Sequence, residues 1–123
     1  MSQEPYLKMY IAVLDEFPSY MVPTLVAHAV LAADSYFLDS IEFNCLGDTT
    51  IPDKYSKWKT ESFKKVVVKV NQKEFNKIQS QLVCYAGHEN NTLGGKKSCL
   101  VTLPVSTDNI PNVLKFAKLW KPE

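Results

Sequence analysis

Arginine is absent. All fourteen basic side chains are lysine, so no guanidinium fork exists to clamp a phosphate or a carboxylate through two parallel hydrogen bonds. Cysteine is scarce as well: Cys45, Cys84 and Cys99 are an odd number at wide spacings. That argues against a disulfide framework and against a zinc site, and predicts small buried or half-buried side chains. No other metal-ligand spacing is present, and no metal or other cofactor is implied. No apolar run approaches the roughly 18 residues of a membrane helix. The start, Met1-Ser2-Gln3-Glu4-Pro5, has no basic region followed by an apolar stretch, so the expectation is a cytosolic protein without a membrane partner.

What is there suits one folded domain spanning 1–123. The chain has 123 residues, 46% of them hydrophobic and 22% charged, the balance of a globular rather than a disordered sequence. The formal net charge of +1 conceals a polar distribution. Residues 1–53 hold a single base, Lys8, against eight acids, a net of −7, whereas residues 54–123 hold thirteen lysines against five acids, a net of +8.

Hydrophobic periodicity divides the chain into alternating elements. Leu7 to Leu14 is short, apolar and bounded by Pro5 and Pro18, as a buried strand would be. From Val22, apolar residues recur at Leu25, Val26, Ala29, Val30, Ala33 and Phe37, one face of a helix with Pro23 in its first turn. Residues 39–60 read as an acidic loop and a short helical turn. Lys65 to Val70 is rich in β-branched residues and reads as a strand, expected at the centre of the sheet. Gln72 to about Cys84 comes next as a helix through Phe75, Ile78 and Leu82, and Gly87 to Lys97 is polar and glycine-rich, a loop pattern. Ser98 to Leu103 reads as a strand stopped by Pro104, and Ile110, Val113, Leu114, Ala117 and Trp120 share one face of a last helix. This order predicts an α/β sandwich around a small mixed, largely parallel sheet.

Two segments together resemble the type II peptidyl-tRNA hydrolases. One is the opening strand Met9-Tyr10-Ile11-Ala12-Val13 running into a helix with Val26-Ala27-His28-Ala29. The other begins at the strand Lys65-Val66-Val67-Val68-Lys69-Val70 and continues through a helix, Ala86-Gly87, a polar loop, Cys99-Leu100-Val101-Thr102-Leu103-Pro104, and an ending Lys118-Leu119-Trp120. The resemblance covers most of the chain outside 38–62. It implies a three-layer α/β/α sandwich of about four strands, often dimeric, that cleaves the ester between a peptide and tRNA. The family pattern sets a lysine seven residues before the helix histidine and a glutamine three before it; here these are Met21 and Leu25, and only His28 is kept. The family's Asp-Ala-Gly at the end of its third strand corresponds to Tyr85-Ala86-Gly87. Either that strand is shortened here, or Ala86-Gly87 ends a helix and the matching strand lies nearer Glu89–Thr92.

Ester hydrolysis needs a group to activate water, an oxyanion partner and a substrate contact. His28 could serve as acid or base, supported by Tyr85 or by Glu89 in the His88-Glu89 pair; it also reads as a packed helix histidine, and His88 and Glu89 as solvated loop residues. Asp15 and Glu16 come after the first strand, where α/β folds place ligand crevices, or simply form a turn before Pro18. Gly94-Gly95-Lys96-Lys97-Ser98 lacks the first glycine of a phosphate-binding loop and leads into a strand, which argues against nucleoside triphosphate hydrolysis. Lys54, Lys57, Lys59, Lys64, Lys65, Lys96 and Lys97, interleaved with Tyr55, Trp58 and Phe63, offer cations and aromatic faces to tRNA, another RNA or a nucleotide, or form an ordinary solvated surface. A third expectation is a homodimer in which the −7 part of one chain meets the +8 part of another.

Overall fold

A computed structural model describes residues 4–89 and 96–122. Its first strand, β1 (Leu7–Leu14), has the limits that the apolar run predicts, and six of its eight residues are buried. A 3₁₀ turn, Ser19–Met21, leads into α1 (Val22–Glu42). Val22, Leu25, Ala29, Ala33 and Phe37 form its buried stripe, the residues that the helical spacing selects. The chain leaves α1 through Asn44, which takes a left-handed φ of 54°, a conformation asparagine tolerates better than most residues. A short α2 (Ile51–Lys57) and a π-helical turn, Trp58–Ser62, precede β2 (Lys64–Val70).

After β2 comes α3 (Gln72–Gln81), opened by a capping box: Glu74 N–H donates to Asn71 Oδ1 at 2.8 Å and Asn71 N–H donates to Glu74 Oε1 at 3.0 Å. The helix stops three residues short of Cys84 because that residue is claimed by the sheet, as part of β3 (Cys84–Glu89). β3 pairs with β4 (Lys96–Thr102), Cys84 opposite Thr102 and Gly87 opposite Cys99. The expected loop over Gly87–Lys97 is therefore corrected at both ends, which are strand; Asn90 to Gly95 lie outside the described residues. Ala86-Gly87 sits inside a third strand, which removes the alternative of a helix C-terminus.

Two further strands are only two residues long, β5 (Val105–Ser106) against β1 and, beyond α4 (Asn112–Lys115), β6 (Lys118–Leu119) against β2. The predicted last helix thus shrinks to four residues. The outer edge of β2 supplies the reason: Trp120 N–H donates to Val67 C=O at 3.0 Å, and Lys118 and Leu119 pair with Lys69 and Val68. Ladder bonds there replace the helical bonds that the 3.6-residue pattern promised.

The protein is thus mixed α/β, its described residues forming one mixed sheet of six strands and four helices, with the sheet's main path running β3-β4-β1-β2-β6. The expectation of a largely parallel sheet is corrected, since among the described residues β1 with β2 is the parallel pairing and the other four pairings are antiparallel. The reason is placement: α1 and α3 both return the chain in the same direction, so β1, β2 and β3 point the same way, but the reversed β4 lies between β1 and β3. Alternation along β1 divides the core. Met9, Ile11 and Val13 pack with α1, Tyr55 and Trp58, whereas Tyr10, Ala12 and Leu14 pack with Phe75 and Ile78 of α3 and Leu114 of α4.

The expectation about apolar segments is also corrected. Ser19–Glu42 is 24 residues long with a mean hydropathy of 1.4 over its best 18-residue window, enough by length and composition to cross a membrane. Uninterrupted runs miss it because His28, Asp34 and Asp39 break the sequence without lowering the average far. In this fold its apolar stripe instead belongs to the core on the α1 side of the sheet.

Candidate functional site

At the carboxyl ends of β1 and β2 the chain opens into a crevice of about 430 Å³. Asp15 N–H donates to Val70 C=O at 2.8 Å, so the parallel ladder continues one residue past β1 and holds Asp15 at the rim. Asp15 and Glu16 are exposed and line it with Phe17 and Ser19. Lys69 and Trp120 belong to the lining as well. Lys69 stands opposite Lys118 across the β2–β6 pair. Ends of parallel strands are where α/β sheets most often take ligands, because the loops diverge there. Among the described residues, no group of three or more His, Cys, Asp or Glu side chains converges to hold a metal.

The opposite end of the sheet gathers lysines. The parallel register sets Lys8 against Lys64 and Met9 against Lys65. Lys64 Nζ lies 4.7 Å from the Tyr6 ring centroid, Lys8 Nζ 5.5 Å from that of Tyr10, and Lys65 Nζ 3.2 Å from that of Phe63. Among the described residues none of the three has a carboxylate partner; the ion pair there is Lys59 with Asp34 at 2.9 Å. Lys65 also donates to Phe63 C=O at 2.6 Å, and partial burial lowers its pKa from the ordinary lysine value. Phe63 itself takes φ 53°, a left-handed conformation costly for a bulky side chain. Nearby, Tyr55 Oη donates to Asp34 Oδ1 at 2.7 Å. Burial works to raise the Asp34 carboxyl, but the hydrogen bonds from Tyr55 and Lys59 outweigh it and hold the group below the ordinary aspartate range. Burial, and then the bond to Asp34, pushes the Tyr55 phenol well above its ordinary value.

The residues singled out from sequence are distributed rather than assembled. His28 is exposed on α1, while Tyr85 packs on Tyr36 at a centroid distance of 5.4 Å. Tyr36 lies eight residues further along the helix, roughly 12 Å of rise. His28 and Tyr85 therefore do not meet. Glu89 closes β3, opposite Lys96 in the backbone register, and the side chains of both are outside the described residues, as is that of His88. Lys54, Lys57, Lys59, Lys64 and Lys65 are exposed and succeed one another along α2, the π turn and β2. Lys97 is exposed on β4 just beyond Cys99, which pairs with Val13, so it belongs to the crevice end. About six residues at 3.3 Å each, or roughly 20 Å, separate it from Lys65. Trp58 is corrected as a stacking surface: it is 2% exposed and its Nε1 donates to Lys64 C=O at 2.9 Å. Tyr55 is equally buried, which leaves Phe63, at 53% exposure, as the open aromatic of that group.

Three participants escaped the sequence reading. Lys8 looked like an isolated base in an acidic segment, and only the strand register brings it to Lys64. Lys69 and Trp120 come to the crevice because β2 and β6 pair, and no alternation over residues 118–121 signals that pairing. No protein-family model and no curated protein sequence matches this chain.

Proposed function

We propose that this chain is a type II peptidyl-tRNA hydrolase-like domain, a three-layer α/β/α sandwich built on four principal strands, that binds tRNA or other RNA in the cytoplasm and does not cleave the ester. The observation that carries the binding is Lys8, Lys64 and Lys65, three ammonium ions at one end of two paired strands, Lys8 and Lys64 on one face and Lys65 on the other, with aromatic rather than acidic neighbours. Repulsion between Lys8 and Lys64, opposite each other on one face, is relieved by phosphate, and lysine reads phosphate as a point charge without base specificity. Phe63 adds an exposed ring for an unpaired base. Against hydrolysis stand Met21 and Leu25, the residues at the family's lysine and glutamine positions. Leu25 is 3% exposed within the core and Met21 packs at its margin, so neither offers a polar group to a substrate.

Filter binding of labelled tRNA tests this reading. The wild type is expected to bind with a Kd in the range of about 10⁻⁶ to 10⁻⁴ M that weakens with salt. Replacing Lys8, Lys64 and Lys65 together by glutamine should lower the slope of log K against log salt by about 2 for a single-stranded contact. Unchanged affinity in that variant, or binding indifferent to salt, overturns the proposal. Release of a blocked aminoacyl group from tRNA by the wild type, lost in His28→Ala, would replace it with the hydrolase reading.

A further inference from the structure

A second cavity, of about 140 Å³, lies between α1 and the π-helical turn, lined by Met9, Val30, Leu31, Tyr55, Trp58 and Phe63. We propose that it binds a small aryl monocarboxylate, with the ring in the cavity and the carboxylate on Lys65. The donors of its aromatic lining are spent inside the protein, Tyr55 Oη on Asp34 and Trp58 Nε1 on Lys64 C=O. A nucleobase placed there would give up hydrogen bonds to water without replacement, whereas a benzene ring has none to lose. The volume suits one such ring, since apolar cavities of about 150 Å³ take benzene. Charge then sets the rest of the ligand. Two ammonium groups, Lys59 and Lys65, and one carboxylate, Asp34, belong to the lining. Lys59 Nζ holds both oxygens of Asp34, at 2.9 and 3.0 Å, so that pair is neutral. Lys65 donates to Phe63 C=O and lies 3.2 and 5.3 Å from the ring centroids of Phe63 and Trp58, contacts that steady an ammonium without neutralising it. Among the described residues no carboxylate pairs with it, and it has two further N–H donors to give. One excess cation matches a monoanion; a zwitterion or a dianion would bring a charge with no counterpart. The backbone gives independent support. Phe63 N–H donates to Trp58 C=O at 2.7 Å, closing the π turn, and leaves Phe63 at its left-handed φ of 53°. Single π turns and strained bulky residues concentrate at binding sites, and a ring left 53% exposed is not held there by burial alone.

Isothermal titration calorimetry with phenylacetate, phenylacetamide and acetate tests the assignment. Phenylacetate is expected to bind the wild type saturably with a Kd of about 1 mM or lower, and phenylacetamide and acetate, each lacking one half of the recognition, about tenfold or more weakly. Lys65→Met, altered at an exposed position, should bind phenylacetate and phenylacetamide alike. Val30→Phe, which puts a ring of the protein's own into the cavity, should abolish binding of phenylacetate; Lys65→Met keeps the test decisive if that variant fails to fold. No saturable binding of phenylacetate by the folded wild type overturns the proposal, as does equal binding of acid and amide by the wild type, or binding of phenylacetate unchanged in Lys65→Met or in folded Val30→Phe. The proposal does not rest on the RNA reading: no tRNA is present in these titrations, so their failure leaves that reading standing, and failure of the tRNA assay leaves this one standing.

Discussion

A methyl group in place of one hydrogen at Gly87 would lie 3.0 Å from the Cβ of Ala29 and 3.5 Å from its Cα. The partner is a helix backbone with a side chain too short to turn aside, so β3 and α1 would have to separate. Gly87→Ala is expected to lower stability by about 1–2 kcal/mol in urea denaturation, despite the gain that alanine ordinarily brings by restricting the unfolded chain. Titration at Asp34 gives a second residue-scale prediction. Its native pKa is lowered, so its contribution is complete above the ordinary carboxylate value of about 4 and fades as pH falls through the depressed one. The urea midpoint of the wild type should therefore drop more steeply between about pH 5 and pH 3 than that of Asp34→Asn. The cysteines divide by placement. Cys84 is half-buried and Cys99 buried, in line with the sequence expectation, and burial pushes the Cys99 thiol up to about 11. Cys45 departs from it, exposed in the loop after α1 because no apolar periodicity draws that segment into the core. Maleimide labelling of the native protein should modify Cys45 first, with Cys84 and Cys99 reacting at the rate of unfolding.

Elements whose cause is local were legible. The third helix starts at Gln72, as its apolar spacing predicts, and Asn71 and Glu74 close its first turn with a capping box. Asn71→Ala should cost about 1 kcal/mol and lower the Tm by several degrees. The strand β1 and the helix α1 were equally plain, since burial imposes a run on one and a 3.6-residue stripe on the other. The last element was not. Ile110 to Trp120 has a helical stripe, and yet Lys118 and Leu119 lie in the sheet. Periodicity weighs the burial of side chains and is blind to an unpaired strand edge elsewhere. The same blindness left β3 undecided between a shortened strand and a helix end, since Cys84 to Glu89 have no alternating pattern and acquire their conformation from the β4 ladder.

At the scale of the molecule, β1 is paired on both sides over Ile11, Ala12 and Val13, with β2 and with β4. Hydrogen exchange should find the amides of these residues the slowest, and those of Lys118 and Leu119, in a two-residue edge strand, among the first strand amides to exchange. The charge division along the chain, −7 before residue 54 and +8 after it, does not become two separate hemispheres. β1 runs between β2 and β4, so the acidic Asp15 and Glu16 come to share a crevice with Lys69, and Lys8 joins Lys64. Likewise the lysines that look continuous in sequence split between the two ends of the sheet.

The sequence by itself determined the α/β class, the first strand, the long helix with its buried face, the capped third helix and the burial of two of the three cysteines, because each arises from local periodicity or a short-range hydrogen bond. Only the tertiary structure decided which strands run parallel, that the chain ends in a strand, that His28 and Tyr85 stand apart, that Trp58 is core, and which charges meet. Those outcomes depend on pairings between residues far apart in sequence, and a ladder can extend or replace any local preference worth less than the hydrogen bonds it supplies.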